Sequence, residues 1–227
     1  MSYASIIKEI GRGAEGSRDM TQEDAKYLYG AMLDGGVPDL EMGAILIALR
    51  MKAESIDEMI GFLAAANERV NALASPCVGI RPVVIPTYNG ARKSANLTPL
   101  LALLLQRFGV PVIVHGLLEG FGRVTSGHVF RELGVMPAAS HTQAQQALDE
   151  HKLVIAQGLA DQLAMRARLG VRNSAHSLVK MLDPFKGEGL IIAAATHPPY
   201  IDTMREVLGS QGAHGLLLRA TEGEPYA

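Results

Sequence analysis

The sequence predicts an α/β protein in which a small helical domain precedes a larger domain built on a mostly parallel sheet. Three observations carry this. The first ~70 residues read as helices alone, by apolar periodicity and capping residues. After Ala72-Leu73-Ala74-Ser75-Pro76, short apolar runs alternate with helical stretches, the pattern of parallel strands joined by crossover helices. And 227 residues with 48% hydrophobic content and a mean hydropathy of +0.15 suffice for a sizeable core, which excludes global disorder.

The elements follow in order. Thr21 caps a helix with Asp24 three positions on, and Gly35-Gly36 stops it. A second helix opens at Pro38 and carries Leu40, Ile45, Leu46 and Leu49. Ser55-Ile56-Asp57-Glu58 is a capping box for a third, whose apolar face includes Met59, Ile60, Phe62 and Leu63. Three such helices form a bundle too small to be robust alone, so part of its surface should meet another domain or a second subunit. The domain boundaries expected are 1–73 and 77–227.

In the larger domain, Val83-Val84-Ile85 is the first strand. Thr98-Pro99 caps a helix running through Leu105 and closed by Gly109, and Val110 to Val114 reads as a buried strand. Leu153 to Ala156, Leu190 to Ala194 and Leu216 to Leu218 supply the remaining strands. Ligands of such sheets sit beyond the carboxyl ends of the strands.

Several classes are excluded. Cys77 is the single cysteine, so no internal disulfide forms, and no Cys/His cluster has zinc-ligand spacing. No apolar run reaches the ~18 residues of a membrane span, and the N-terminus has charges where a signal peptide is apolar. The expectation is a cytoplasmic protein without metal or membrane partner. The carboxylate pairs Glu23-Asp24 and Asp149-Glu150 fall within helical stretches and face solvent.

The segment richest in chemistry is Pro86-Thr87-Tyr88-Asn89-Gly90-Ala91-Arg92-Lys93-Ser94-Ala95-Asn96-Leu97-Thr98-Pro99. It leaves a strand and enters a helix, with hydroxyls, amides, a flexible glycine and two adjacent cations. Free N–H groups at a helix start favour an anion, and Arg92-Lys93 turn that preference toward phosphate.

This loop, with the preceding helical domain, Val114-His115-Gly116, Leu169-Gly170-Val171-Arg172-Asn173 and Thr221-Glu222-Gly223-Glu224, resembles the anthranilate phosphoribosyltransferase superfamily. The resemblance is closest to its YbiB-type branch and covers essentially the whole chain. It implies a class III phosphoribosyltransferase-like fold. Family members continue past the motif at which this chain stops, so it also implies a larger domain truncated at its C-terminus.

In the biosynthetic enzymes the first loop is rich in glycine and binds the pyrophosphate of phosphoribosyl pyrophosphate. Thr87, Ser94, Asn96 and Thr98 match its polar positions, but Pro86, Tyr88 and Asn89 replace glycines and Gly90 replaces an aspartate. A backbone without those glycines cannot approach pyrophosphate as closely. The family's Lys-His-Gly-Asn run appears as Val114-His115-Gly116-Leu117, without its lysine. The magnesium-binding Asp-Glu pair corresponds to Pro225-Tyr226, with Glu222 and Glu224 shifted out of register. Arg172 matches the arginine that contacts the anthranilate carboxylate, and Asn173 follows it. Thr87, Gly90, His115, Gly116, Arg172 and Asn173 then form a vestigial substrate site with no catalytic residue assigned. His115 and His176 read as buried, satisfied histidines.

Charge is unevenly distributed. The net value is −2, yet residues 69–118 contain no acid and five cations, and residues 162–182 no acid and four. The rest of the chain holds twelve cations against all 23 acids. By the resemblance, both basic windows line the cleft between the domains, and proteins of this branch bind nucleic acid, single strands included, as homodimers. The main expectation is therefore a nucleic-acid-binding protein of low sequence specificity that needs no cofactor. Arg92, Lys93, Arg166, Arg168, Arg172 and Lys180 would contact phosphate, Asn89, Ser94, Asn96 and Thr98 would donate neutral hydrogen bonds, and Tyr88 would stack on bases. The alternative is a phosphoribosyltransferase using phosphoribosyl pyrophosphate and magnesium, with an aromatic acceptor. A third is a binder of a small phosphorylated metabolite.

Overall fold

Four helices, not three, open the chain in the computed structural model, which describes residues 2–13, 15–120, 122–157, 160–220, 222 and 224, without the side chains of 160–162, 166 and 167. The first helix, α1 (Tyr3–Ile10), is capped by the Ser2 side chain, which accepts the Ser5 N–H, and it buries Ile6 and Ile10. Tyr3, Ile6, Ile7 and Ile10 follow helical spacing behind the Ser2 cap, a signal that the sequence reading passed over. In α2 (Gln22–Leu33), the Thr21 hydroxyl accepts the Asp24 N–H as expected. Pro38 precedes α3 (Asp39–Lys52) as its cap residue, one position outside the helix. In α4 (Ile56–Arg69) the capping box closes in both directions: the Glu58 N–H donates to Ser55 Oγ (3.2 Å), and the Ser55 N–H to Glu58 Oε2 (2.8 Å).

Tyr29 of α2 stacks on Phe62 of α4 at 4.8 Å, and both are fully buried, as are Leu28, Ile45 and Leu49. Glu58, fully buried, also accepts the Lys52 ammonium (2.7 Å) and the Met20 N–H (3.0 Å), so its charge is matched and hydrogen-bonded.

The chain divides into two compact units, and residues 161–178 belong with the helical one. This departs from the contiguous domains 1–73 and 77–227 expected from sequence. Most of α8 (Ala160–Leu169) and all of α9 (Ala175–Leu178) thus lie in the first unit. Polar ties hold them there: Ser174 Oγ donates to Glu54 (2.6 Å), and Arg168 pairs with Asp39 (3.1 Å). Such distant pairings leave no mark in local periodicity.

The second unit carries five parallel strands: β1 (Val83–Thr87), β2 (Val112–Gly116), β3 (Leu153–Gln157), β4 (Leu190–Ala195) and β5 (His214–Arg219). Their order is β3-β2-β1-β4-β5. Helices α5 (Thr98–Arg107), α6 (Ser126–Glu132), α7 (His141–His151) and α10 (Pro198–Ser210) connect them. Val83, Ile85, Val112, Val114, Leu153, Ile155 and Phe130 form the core, and all of β1 and β2 is buried, as a parallel sheet covered on both faces requires. β1 pairs with β2 on one side and with β4 on the other, so the strand order reverses at β1. The loop after β1 consequently lies at the switch point of the sheet, where ligands of open α/β folds bind.

Candidate functional site

The loop is fixed before any ligand is considered. Gly90 has φ +65°, and a Cβ there would lie 3.0 Å from the Val124 carbonyl oxygen, so both conformation and space demand glycine. Beside it, Ala91 and Val124 exchange backbone hydrogen bonds of 2.9 and 2.8 Å. The Asn96 amide donates to the Val124 carbonyl and to Ser126 Oγ, both at 3.1 Å, and Ser126 Oγ lies 2.7 Å from the Thr87 hydroxyl. The start of α5 is capped by Asn96 Oδ1, which accepts the Thr98 N–H (3.2 Å); Thr98 is the first helical residue and is buried, not the cap predicted.

Held this way, the loop turns its backbone N–H groups toward two carboxylates. Glu224 Oε1 accepts from Asn89 (2.8 Å) and Gly90 (2.5 Å). Glu222 accepts from Arg92 (2.5 Å) through Oε2, and from Lys93 (2.8 Å) and Ser94 (3.2 Å) through Oε1. Successive amides converging in this manner make an oxyanion cradle. The hydrogen bonds from Arg92 and Lys93 hold the Glu222 carboxyl below the usual carboxylate range. Burial pushes that of Glu224 above it, against the opposing pull of Thr87 and the loop amides.

The residues singled out from sequence separate into three groups. Arg92, Lys93 and Ser94 are exposed on the loop, and Arg168 and Arg172 are exposed in the helical unit. Asn89, Asn96, Thr87 and Gly90 instead build the cradle or pin it. Tyr88 is half-buried, its hydroxyl 2.8 Å from His115 Nδ1 and its ring edge-on to the imidazole at 5.5 Å, so it is tied to β2 and does not project as a stacking platform. Gly116 packs against the backbone of Thr87, where a Cβ would collide.

Three expectations need correction or restriction. Lys180 does not reach outward: it is 8% exposed and its ammonium donates to the Ala194 carbonyl (2.5 Å). His115 is buried as expected but only half satisfied, since Nε2 has no hydrogen-bond partner among the described residues; burial lowers its pKa to about 4. Asn173 is buried and caps α9, accepting the Ala175 N–H. The Arg166 side chain lies outside the described residues, as do Pro225 and Tyr226.

The glutamates do not suit magnesium. Both oxygens of Glu222 and one of Glu224 already accept amide protons, and the cradle presents donors, whereas the ion requires converging oxygen ligands in near-octahedral geometry. Among the described residues, no group of three or more His, Cys, Asp or Glu is placed to hold a metal ion.

Comparison with other proteins places the chain in a family. Residues 4–70 match the helical bundle domain of the glycosyl transferase family. The uncharacterized protein YbiB of Escherichia coli K12 is 48% identical over 234 aligned positions, covering 100% of this chain and 73% of the relative. The chain belongs to the YbiB-type branch of the anthranilate phosphoribosyltransferase superfamily. Anthranilate phosphoribosyltransferase of Methylocella silvestris is 26% identical over 181 positions, 77% of this chain and 51% of that enzyme. The chain thus spans about half the length of the enzyme. The crystal structure of anthranilate phosphoribosyltransferase from Thermus thermophilus superposes with a TM-score of 0.78 at 23% identity, covering 96% of this chain and 67% of that one, which establishes the shared fold. Among the described residues, no helix is long and apolar enough to cross a membrane.

What sequence reasoning missed is the role of Glu222 and Glu224. Both stood next to a family motif, but their partners lie 128 to 135 positions away, and nothing local announces that pairing.

Proposed function

We propose that the protein is a cytoplasmic, homodimeric nucleic-acid-binding protein on a phosphoribosyltransferase-like fold, contacting phosphates through side-chain cations. One observation carries the reading: the loop's amides are taken by Glu222 and Glu224, while the adjacent Arg92 and Lys93 side chains remain exposed. A pyrophosphate needs the amides of such a loop, whereas a phosphate chain needs only accessible cations. Arg168 and Arg172 add exposed cations on the helical unit; the pairing of Arg168 with Asp39 is too exposed to remove its attraction for phosphate.

Fluorescence anisotropy of a labelled single-stranded oligonucleotide across a salt series tests this. Affinity should fall steeply with salt, and Arg92→Ala with Lys93→Ala should lower it and flatten the slope by about one to two units. Absent binding at low salt, or affinity indifferent to salt, would overturn the reading.

A second reading, transfer of phosphoribose from phosphoribosyl pyrophosphate to an aromatic acceptor with magnesium, is the one favoured by the names of the relatives. Arg172 would then meet the acceptor carboxylate. Turnover of phosphoribosyl pyrophosphate with anthranilate and magnesium would replace the first reading with this one.

A further inference from the structure

We propose that Glu222 and Glu224 are built-in surrogate anions: their carboxylates fill the amide cradle of residues 89–94, so an oxyanion can use that cradle only by displacing them. Five backbone donors on one loop are an arrangement that selects negative charge, and charge-assisted hydrogen bonds to carboxylate are the strong kind. The two acids divide the loop between them. Glu224 is fully buried at the strand end, beside Thr87 and Gly90, and Glu222 lies over Arg92 to Ser94 at the exposed end.

A buried carboxylate is costly without donors, and a buried amide also costs free energy without an acceptor, though less. Oε1 of Glu224 and both oxygens of Glu222 are thus satisfied by the loop, while Oε2 of Glu224 stays buried without a hydrogen-bond partner among the described residues, and the loop amides need no ligand. The exposed end is the weaker closure, because Glu222 competes there with solvent. An incoming phosphate or pyrophosphate would replace Glu222 first and find Arg92 and Lys93 alongside. Nucleic-acid binding through side chains is neither required for this nor excluded by it.

The test is amide-resolved NMR of the full chain titrated with inorganic pyrophosphate. In the wild type, the amides of Arg92, Lys93 and Ser94 should shift only weakly, at high pyrophosphate, because Glu222 must be displaced. In Glu222→Ala they should shift saturably, with affinity raised by about tenfold or more, the gain expected when a competitor making charge-assisted hydrogen bonds is removed. Glu222→Gln preserves shape while removing charge and should give an intermediate gain. Equal pyrophosphate affinity in wild type and both variants overturns the proposal, as does no binding by either variant when circular dichroism shows them folded. Oligonucleotide anisotropy on the same samples separates the readings: its failure in the wild type removes nucleic-acid binding and leaves the pyrophosphate result to stand or fall alone.

Discussion

His115 shows what burial does to a single side chain. Its ring sits at the carboxyl end of β2 with one nitrogen bound to Tyr88 and the other unpartnered, and burial lowers its pKa to about 4 from an ordinary 6.5. Between those values the unfolded chain binds a proton that the folded chain refuses. Stability contributed by this site is therefore complete above pH ~6.5 and is lost as pH falls toward 4, by roughly 3 kcal/mol in all. Urea unfolding at a series of pH values should show a shallower acid limb for His115→Gln than for the wild type. Superimposable limbs would place the proton elsewhere.

The same scale explains why charge read along the sequence is a poor map of the surface. Several cations of the two acid-free windows are already engaged within the protein, one of them buried. Arg69 grips Asp34 with two nitrogens, Arg81 donates to the Glu188 carbonyl, and Lys180 is buried on that of Ala194. Each partner lies well outside its local segment: Arg69 meets an acid, whereas the carbonyls that accept from Arg81 and Lys180 use their donors without cancelling their charge.

At the level of elements, the capping signals were legible because they are local. Thr21 and the Ser55–Glu58 box define their helix starts within four residues, and the structure forms both sets of hydrogen bonds. The inner strands were equally legible as apolar runs, since β1, β2 and β4 are buried almost throughout and leave no alternation to misread, while the edge strand β5 is largely exposed. The helical segment of residues 161–178 was not, because its attachment rests on Ser174–Glu54 and Arg168–Asp39 and not on a pattern of its own.

Glu58 ties the local signal to the tertiary one. It caps α4, accepts the Met20 N–H ahead of α2, and pairs with Lys52 at the end of α3, all while fully buried. Removing it leaves a shielded ammonium with the exposed Asp19 and the Ala53 carbonyl, and without its buried counter-charge. Glu58→Ala should therefore destabilise the protein by about 3 kcal/mol in chemical denaturation, more than loss of a surface cap alone at about 1 kcal/mol. A cost within the surface-cap range would mean that Lys52 is not held by this buried pair.

For the whole molecule, the open matter is self-association. On α3, Leu40, Ile47 and Met51 are 81%, 40% and 79% exposed and stand seven and eleven positions apart from the first, which places them on one helical face. Single exposed apolar residues are ordinary, but an aligned set argues for a covering surface. A second such set lies on and beside α5, where Leu97, Leu100, Leu104 and Phe108 are exposed along the side opposite the buried Ala102. Aspartate at an exposed position costs the monomer little, so a change in mass can be assigned to the interface. If the helical unit makes the homodimer, light scattering on the size-exclusion peak should give twice the 24.2 kDa chain mass for the wild type and for Leu104→Asp. Met51→Asp should then give the single mass. A monomeric wild type removes the dimer, and dissociation by Leu104→Asp with Met51→Asp still dimeric moves the interface to the α/β unit.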